Sequence, residues 1–480
     1  MQQKTRLQDV LPLSPLQQGL LFHAGYDSQA QDLYTMQLVF DIEGVVDRAA
    51  LRAAAAAVLH RHPNLRAGFR YRKNGDPVQL IPREVPTPWT ETDLSDLPEE
   101  ARKAEADRLV AEDHARRFDP ARPPLMRFTL ITLGPEHHRF VFTSHHILID
   151  GWSRAVLVGE LFELYGTHGD ASALPRVTPY KEYLSWLGRQ HRGTAEAAWQ
   201  KALDGVDEPT LLAPLDPLRT PLPPERLRLR LTESESAALF AWARSRGLTV
   251  NAVVQAAWAL VLGQHTGRDD VVFGGTVSGR PPEIPGVESM VGLFINTLPV
   301  RVRIDPLEPL GALVDRIQLQ QAELMDHQYL GLTDVQAQTS VTGELFDTLL
   351  VFENYPVDTE SLRASAGGLG IVDASSDEGT HYPVTLMVTS GATLDLELCY
   401  RFDLFDQPRV EALGRSLLAL LSDVPAGAET PVGRLALTQD QDARRVLESW
   451  NDTARDVAGS PLPVLFEEQV ARTPDAVAVV

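Results

Sequence analysis

Six prolines fall between Asp207 and Glu225, at Pro209, Pro214, Pro217, Pro221, Pro223 and Pro224. Each proline fixes φ and lacks an amide proton, so a stretch this dense can be neither a helix nor a central strand. It reads as a linker, and it divides a chain of 480 residues into two large parts. At about 150 residues per domain, that length allows roughly three domains or two large lobes.

Helical and alternating patterns are mixed on both sides of the linker. Asp47 to Leu59 reads as a helix, with Asp47 as a good N-cap and the run Ala53 to Ala57 of the strongest helix former. Leu125 to Leu133 and Arg139 to Ser144 read as strands joined by a turn at Gly134, Pro135 and Glu136. After Gly151 the apolar residues recur at helical spacing. Beyond the linker, Thr232 to Arg246 and Thr249 to Gln264 read as helices, the second mostly apolar and therefore buried. Val271 to Val277, Thr297 to Val302, Leu345 to Phe352, Pro383 to Thr389 and Leu394 to Tyr400 read as strands. Ser278 to Pro285 and Ser365 to Thr380 read as loops, the latter long and polar. The fold class is α/β, with an N-terminal lobe at 1–175 and a connector and C-terminal lobe at 176–430.

The remaining segment, 431–480, has a different character. Pro425 to Pro431 is rich in Pro, Gly and Ala, and Gln439 to Arg455 is polar, as in an exposed linker. The sequence stops inside the apolar run Ala476 to Val480, which suggests a piece of a longer protein. With 65 acidic and 44 basic residues the net charge is −21, which argues against nucleic acid as the main ligand. Cys399 is the only cysteine, so no intramolecular disulfide forms and the cytoplasm is the expected compartment. No run of about 18 apolar residues predicts a membrane span, and the polar start Met1 to Val10 is unlike a signal peptide.

The sharpest chemical feature is Ser144-His145-His146-Ile147-Leu148-Ile149-Asp150-Gly151-Trp152. The chain contains its own control in His137-His138, a tandem pair in a polar turn without a following Asp-Gly, which reads as solvated. His145-His146 instead closes a buried-looking strand just before a helix, where side chains project into a cleft. Three readings compete. As a metal site, His146 and Asp150 would be ligands at i and i+4, but the preceding pattern is a strand and no third ligand is near. As core residues, the histidines would simply be hydrogen-bonded. As a catalytic site, a neutral imidazole would face a substrate nucleophile as base or orienter. No Ser or Cys stands in a nucleophile motif, which favours direct transfer between two bound substrates over a covalent enzyme intermediate. Asp150, flanked by Ile149 and Trp152, is expected to be partly buried and to need a cation, for which Arg66 is the expected partner. Gly151 is small enough for a substrate to pass close to the backbone.

At these residues the sequence resembles the condensation domain of nonribosomal peptide synthetases, whose H-H-x-x-x-D-G motif is met by His145, His146, Asp150 and Gly151. Leu13-Ser14-Pro15-Leu16-Gln17-Gln18-Gly19 resembles the family's opening motif, and Arg61-His62 through Phe69 its second. Tyr180 through Trp186 and Met290 through Leu298 resemble later ones, as do His327-Gln328 and Arg401-Phe402-Asp403. Gly331-Leu332-Thr333-Asp334 departs from the usual Pro-Phe-Glu. The resemblance covers residues 8–430. Trp450-Asn451-Asp452-Thr453 and the stretch from Leu465 to Val479 look like the start of an adenylation domain.

The resemblance implies two chloramphenicol-acetyltransferase-like lobes arranged as a V around a central substrate channel. Ser278 to Pro285 and the Ser365 to Thr380 region would cross between the lobes. It implies peptide-bond formation between a donor thioester and an acceptor amine, both on carrier proteins. His146 carries over as the critical residue, with His145 and Gly151 beside it and Asp150 structural, paired to Arg66. Trp152, Ser153, Gly292 and Asn296 would line the channel. No metal and no tightly bound cofactor are implied; 4'-phosphopantetheine arms come on an upstream donor carrier and a downstream acceptor carrier. An adjoining adenylation domain completes the expected partners of a cytoplasmic, monomeric enzyme of antibiotic or siderophore biosynthesis, with neither nucleic acid nor membrane. The segments around Leu13 and Arg61 look closer to domains that take a D-configured donor. The alternatives are an epimerisation domain of the same superfamily, a stand-alone acyltransferase using H-x-x-x-D-G, and a carrier-docking module without activity.

Overall fold

The computed structural model describes residues 7–26, 32–214, 222–353, 369–377, 379–435, 445–449, 451–454, 459–477 and 479. Residues up to Leu435 form one compact unit, and those from Ala436 onward a second. Two large sheets organise the first unit. The N-terminal sheet has five strands in the order Gly370–Asp377, Thr35–Glu43, His137–His145, Met126–Gly134, Trp89–Asp93. Its pairings are antiparallel except the last, which is parallel. The C-terminal sheet has six strands in the order Asn296–Arg303, Asp270–Val277, Thr348–Glu353, Val384–Ser390, Leu394–Tyr400, Glu225–Arg230. A smaller sheet pairs Leu7–Leu11 with Pro77–Pro82 and Gly68–Tyr71.

The expected elements form for the expected local reasons. Asp47 accepts from the Ala50 N–H and so caps the helix Arg48–Arg61. Thr249 caps the helix Val250–Thr266, whose residues Ala252 to Gly263 are all buried, and Gly267 ends it in the left-handed conformation at φ 69°. The N-terminal core is aromatic: Phe40, Phe128, Phe140 and Phe162 are all fully buried, with Phe128 stacked on Phe140 at 6.2 Å. Burying each such side chain contributes about 1.5–3 kcal/mol.

Three expectations need correction. Within the Ser365 to Thr380 loop, Gly370–Asp377 is a strand that pairs antiparallel with Thr35–Glu43, so the C-terminal half donates an edge strand to the N-terminal sheet. Backbone pairing is its main tie, since of its side chains only Ile371 is buried; that is why no alternating apolar pattern marks it. Residues 365–368 and 378 lie outside the described residues, as do 215–221 of the proline linker. His138 is buried at 4% exposure, because the strand starts at His137 and only His137 stays in solvent. Pro425 to Gly427, read as the start of a linker-like segment, instead form the end of the helix Gln407–Gly427.

In the second unit, Arg445–Ser449 and Leu462–Arg472 are helical. Trp450 and part of the run Ala476 to Val480 lie outside the described residues.

The two halves also share a core. Val291, Leu293, Leu369 and Ile371, all from the C-terminal half, pack in the N-terminal cluster. Gly279 sits where the chain leaves the strand Asp270–Val277 for that contact, at φ 59°, and a Cβ there would meet the Phe294 carbonyl oxygen at 1.9 Å. Gly279→Ala is therefore expected to lower the unfolding free energy by at least about 1–3 kcal/mol, the usual penalty of overpacking. A denaturant melt coinciding with wild type would contradict this.

Candidate active site

The strand His137–His145 ends at the motif, and the helix Gly151–Gly166 begins six residues later. His145 is the last residue of that strand and His146 the first beyond it. His145 is fully buried. Its Nδ1 accepts from the Ile147 N–H at 3.0 Å, so the neutral ring carries its proton on Nε2, 3.3 Å from the Asp32 carboxylate. Burial raises the Asp32 pKa, but the His145 contact and the Tyr34 N–H outweigh it and hold the carboxyl below its usual value. The His146 N–H is bound to the Tyr34 carbonyl at 2.8 Å, and His146 lines a cavity. Of the pair, His145 is the braced core residue and His146 the one on the cavity wall.

Asp150 does not pair with Arg66. The Arg66 guanidinium is turned away, donating to the carbonyls of Leu59 and His60, where it satisfies the end of the helix Arg48–Arg61, and to Pro82 and Gln8. The cation beside Asp150 is Arg280, 130 residues further along and 3.3 Å away. Both side chains are buried, Asp150 at 0% and Arg280 at 5%. Asp150 Oδ1 also accepts from the Ser153 N–H at 2.8 Å, capping the helix, while Oδ2 accepts from the N–H of Phe294 at 2.9 Å. Arg280 donates to the Met290 carbonyl at 3.0 Å and to Ser153 Oγ at 2.8 Å, and stacks 4.0 Å from the Phe294 ring centroid. Burial lowers the Arg280 pKa and Asp150 opposes that. The adjacency of Arg61 to Glu160 and of His62 to the same carboxylate shows where the second motif's other basic residues are spent.

The four expected channel residues divide. Trp152 and Asn296 line the cavity. Trp152 donates from Nε1 to the Glu288 carbonyl at 2.7 Å, and Asn296 braces the carbonyls of Gln328 and Leu330 at 2.9 and 2.6 Å. Ser153 and Gly292 stand behind the wall instead. Ser153 is fully buried, donating to the Gly292 carbonyl at 2.7 Å and accepting from the Gly292 N–H at 3.0 Å. Gly292 is required by its neighbour: a Cβ there would meet the Tyr180 ring at 2.2 Å. Gly151 lines the cavity.

That cavity has a volume of about 1510 Å³; its wall takes residues from the C-terminal sheet, from the helix Pro15–Tyr26, Tyr34 and His146 to Trp152 of the N-terminal half, and from Ser278 and Arg280. It also exposes a group that no motif announces. Tyr34 Oη lies 2.5 Å from His381 Nδ1, and the His381 ring stacks on His23 at 4.4 Å and lies tilted against Tyr382 at 4.1 Å. Burial pushes His381 down to about 3 and lowers His23, so both imidazoles are neutral near pH 7. The residues come from two stretches of chain, Tyr34 and His381 being 347 residues apart, which is why sequence reading missed them. Among the described residues no cluster of three or more metal-ligating side chains occurs.

Arg280→Met leaves Asp150 as an unpaired buried charge and is expected to destabilise the protein by about 3–5 kcal/mol. Asp150→Asn should cost less, and the pair together less than the sum of the two, in chemical denaturation. Additive effects would refute the ion pair. Arg66→Met should combine additively with Asp150→Asn.

The condensation-domain family model matches residues 7–447. A linear gramicidin synthase subunit of Brevibacillus parabrevis is 37% identical over 477 residues, covering 98% of this chain and 9% of that protein. Surfactin synthase subunit 3 of Bacillus subtilis (strain 168) is 31% identical over 480 residues, covering 99% of this chain and 38% of that protein. The chain thus spans a small part of these relatives' length. The first condensation domain of the calcium-dependent antibiotic synthetase, solved with a substrate analogue, superposes with a TM-score of 0.74 at 22% identity, over 90% of this chain and all of that one. A four-domain nonribosomal peptide synthetase bound to AMP and glycine superposes with a TM-score of 0.77 at 21% identity, over 98% of this chain and 37% of that one. The mixed α/β fold is that of the condensation domains, with two open chloramphenicol-acetyltransferase-like sheets. The family match, the intact H-H-x-x-x-D-G sequence and its place on the wall of a cavity shared by two lobes agree, and the chain belongs to the condensation-domain family of nonribosomal peptide synthetases.

Proposed function

We propose that this chain forms an amide bond between two carrier-borne substrates: the amine of an acceptor aminoacyl thioester attacks the carbonyl of a donor aminoacyl or peptidyl thioester. The observation that carries this reading is the presentation of His146 on a cavity of about 1510 Å³ whose wall comes from both halves of a condensation domain. A pocket for one small ligand occupies about 300–1,000 Å³. The larger space suits two tethered groups meeting at one imidazole, and nothing in the site favours epimerisation or a one-substrate acyltransferase.

Attack forms the C–N bond and puts negative charge on the carbonyl oxygen and positive charge on nitrogen. Collapse restores the carbonyl, breaks the C–S bond and releases a thiol. One proton must travel from nitrogen to sulfur. His146 holds the amine in line by a hydrogen bond, takes that proton and returns it to the leaving sulfur, a role worth about 10²–10⁴ in rate. Gly151 and Trp152 open the helix Gly151–Gly166 on the same wall, so the positive end of that helix helps to stabilise the carbonyl oxygen. Asp150 would cancel this field if Arg280 did not neutralise it. Held together away from water, the reacting atoms gain in effective concentration and the thioester is spared hydrolysis.

The arms are 4'-phosphopantetheine groups on an upstream donor carrier and a downstream acceptor carrier, entering at opposite mouths of a channel. The domain boundaries we propose are 1–175, 176–430 and 431–480, the last leading into an adenylation domain. The resemblance of residues 450–479 to such a domain supports this, as does the multidomain length of the relatives. A cytoplasmic setting is inferred from the single cysteine. Among the described residues no single helix is long and apolar enough to cross a membrane.

His146→Ala is expected to slow amide formation from two loaded carriers by at least about a hundredfold. Near-wild-type turnover in single-turnover assays would sink the role. His145→Ala should lose less activity and more stability, since its ring is fully buried.

A further inference from the structure

Part of the cavity wall, between the helices Val250–Thr266 and Leu310–Leu324, is built from carboxamides. Asn251 and Gln255 stand one turn apart on the first helix, and Gln318 and Gln321 three residues apart on the second, so each pair shares a face. All four line the cavity. Gln318 is committed to holding the start of the first helix: it accepts from the Thr249 N–H at 2.7 Å and donates to the Gly247 carbonyl at 2.8 Å. The other helix differs. Asn251 Oδ1 and Gln255 Oε1 are buried and accept no hydrogen bond among the described residues.

Gln255 is the sharper case, at 3% exposure. It is the one polar side chain in a buried run, Ala252 to Gly263, that is otherwise Ala, Val, Trp, Leu and Gly. An apolar residue would fill the position without an orphaned acceptor, which folded proteins seldom tolerate unless a ligand or water answers it. The chemistry of the missing donor is narrow. Among the described wall residues Arg280 is the single Lys or Arg, and it is already paired with Asp150. A phosphate has no match here, whereas a neutral N–H does.

We propose that Gln255, with Asn251 one turn before it, is an amide-recognition site: the two carboxamide oxygens accept N–H groups from one tethered substrate and set how far it reaches towards His146. Gln255 is then a positioning residue. The N–H can belong to a pantetheine arm or to the peptide backbone behind a donor thioester. The inference rests on the two-substrate reading above.

The test uses the full chain and Gln255→Met, which keeps the volume and removes the amide. First, binding of free pantetheine is measured by calorimetry, which needs no turnover. Second, KM and kcat are measured with pantetheine thioesters and with ethyl thioesters, which lack the arm's amides, using aminoacyl and dipeptidyl donors. Gln255→Met should weaken one of the two substrates about three- to tenfold, in Kd or KM, with kcat little changed. The melting temperature without substrate should equal or exceed wild type, because the orphaned acceptor is gone. Loss seen with pantetheine and pantetheine thioesters but not ethyl thioesters assigns the arm; loss seen only with a dipeptidyl donor assigns the peptide amide. Equal losses with every thioester, or none with any, would overturn the proposal, as would a lowered melting temperature with unchanged affinity. If wild type binds pantetheine in a Gln255-dependent way yet makes no amide, the amide-forming reading fails and this site stands.

Discussion

Everything around the candidate site depends on the buried charge of Asp150. A carboxylate at 0% exposure is tolerable only if its lone pairs and its charge are both met. The helix Gly151–Gly166 meets one oxygen through the Ser153 N–H, and the backbone at Phe294 meets the other. Arg280 answers the charge. Two of these partners belong to the C-terminal half. Neutralising one charge therefore fixes the first turn of the helix beside His146 and docks the segment from Arg280 to Ile295 against it. The same contact leaves Gly292 against Tyr180 with no room for a side chain.

The lobes are also joined by backbone pairing. The strand Gly370–Asp377 leaves the C-terminal half and extends the N-terminal sheet beside Thr35–Glu43. That strand is the central neighbour of His137–His145, whose end carries the histidine pair. Soon after the crossing, His381 returns to the cavity and meets Tyr34 at 2.5 Å. Gly379 to Tyr382, just past the crossing strand, thus line one side of the cavity, and Arg280, paired with Asp150, lines another. Movement of one lobe against the other would have to break backbone pairing or expose a buried ion pair, so large opening is resisted from both sides.

The cavity wall sorts by chemistry. His146, Gly151 and Trp152 stand at the start of a helix, where a developing negative charge is favoured. His23, Tyr34, His381 and Tyr382 form a neutral aromatic surface, since burial lowers both imidazoles. The helix-facing side carries carboxamides with little charge. Such a wall holds uncharged, hydrogen-bonding chains better than phosphates, which fits substrates whose charged ends remain on their carriers outside.

Much of this was decided locally and could be read in the sequence. The proline cluster implies two lobes because proline forbids regular structure wherever it is dense. The helix at Asp47 and the strand pair around Gly134 follow from capping and alternation, which act over a few residues. The contrast between His137-His138 and His145-His146 followed from what came after each pair, although His138 is buried by a strand that begins two residues before the expected Arg139. Resemblance added the family and the importance of His146. Long-range pairing was another matter. That Asp150 would need a cation was a local deduction from its apolar neighbours; that the cation is Arg280 and not Arg66 depended on which segments the fold brings together across 130 residues. The edge strand Gly370–Asp377 has no apolar face, so only a partner's exposed backbone could make it a strand. Ser153 and Gly292 stood near the right place in sequence, yet the helix Gly151–Gly166 turns Ser153 away from the cavity and Gly292 packs behind the wall against Tyr180. Sequence periodicity determines which residues share a face; tertiary packing decided what each face meets, because partner choice is set by contacts between segments that no local pattern encodes.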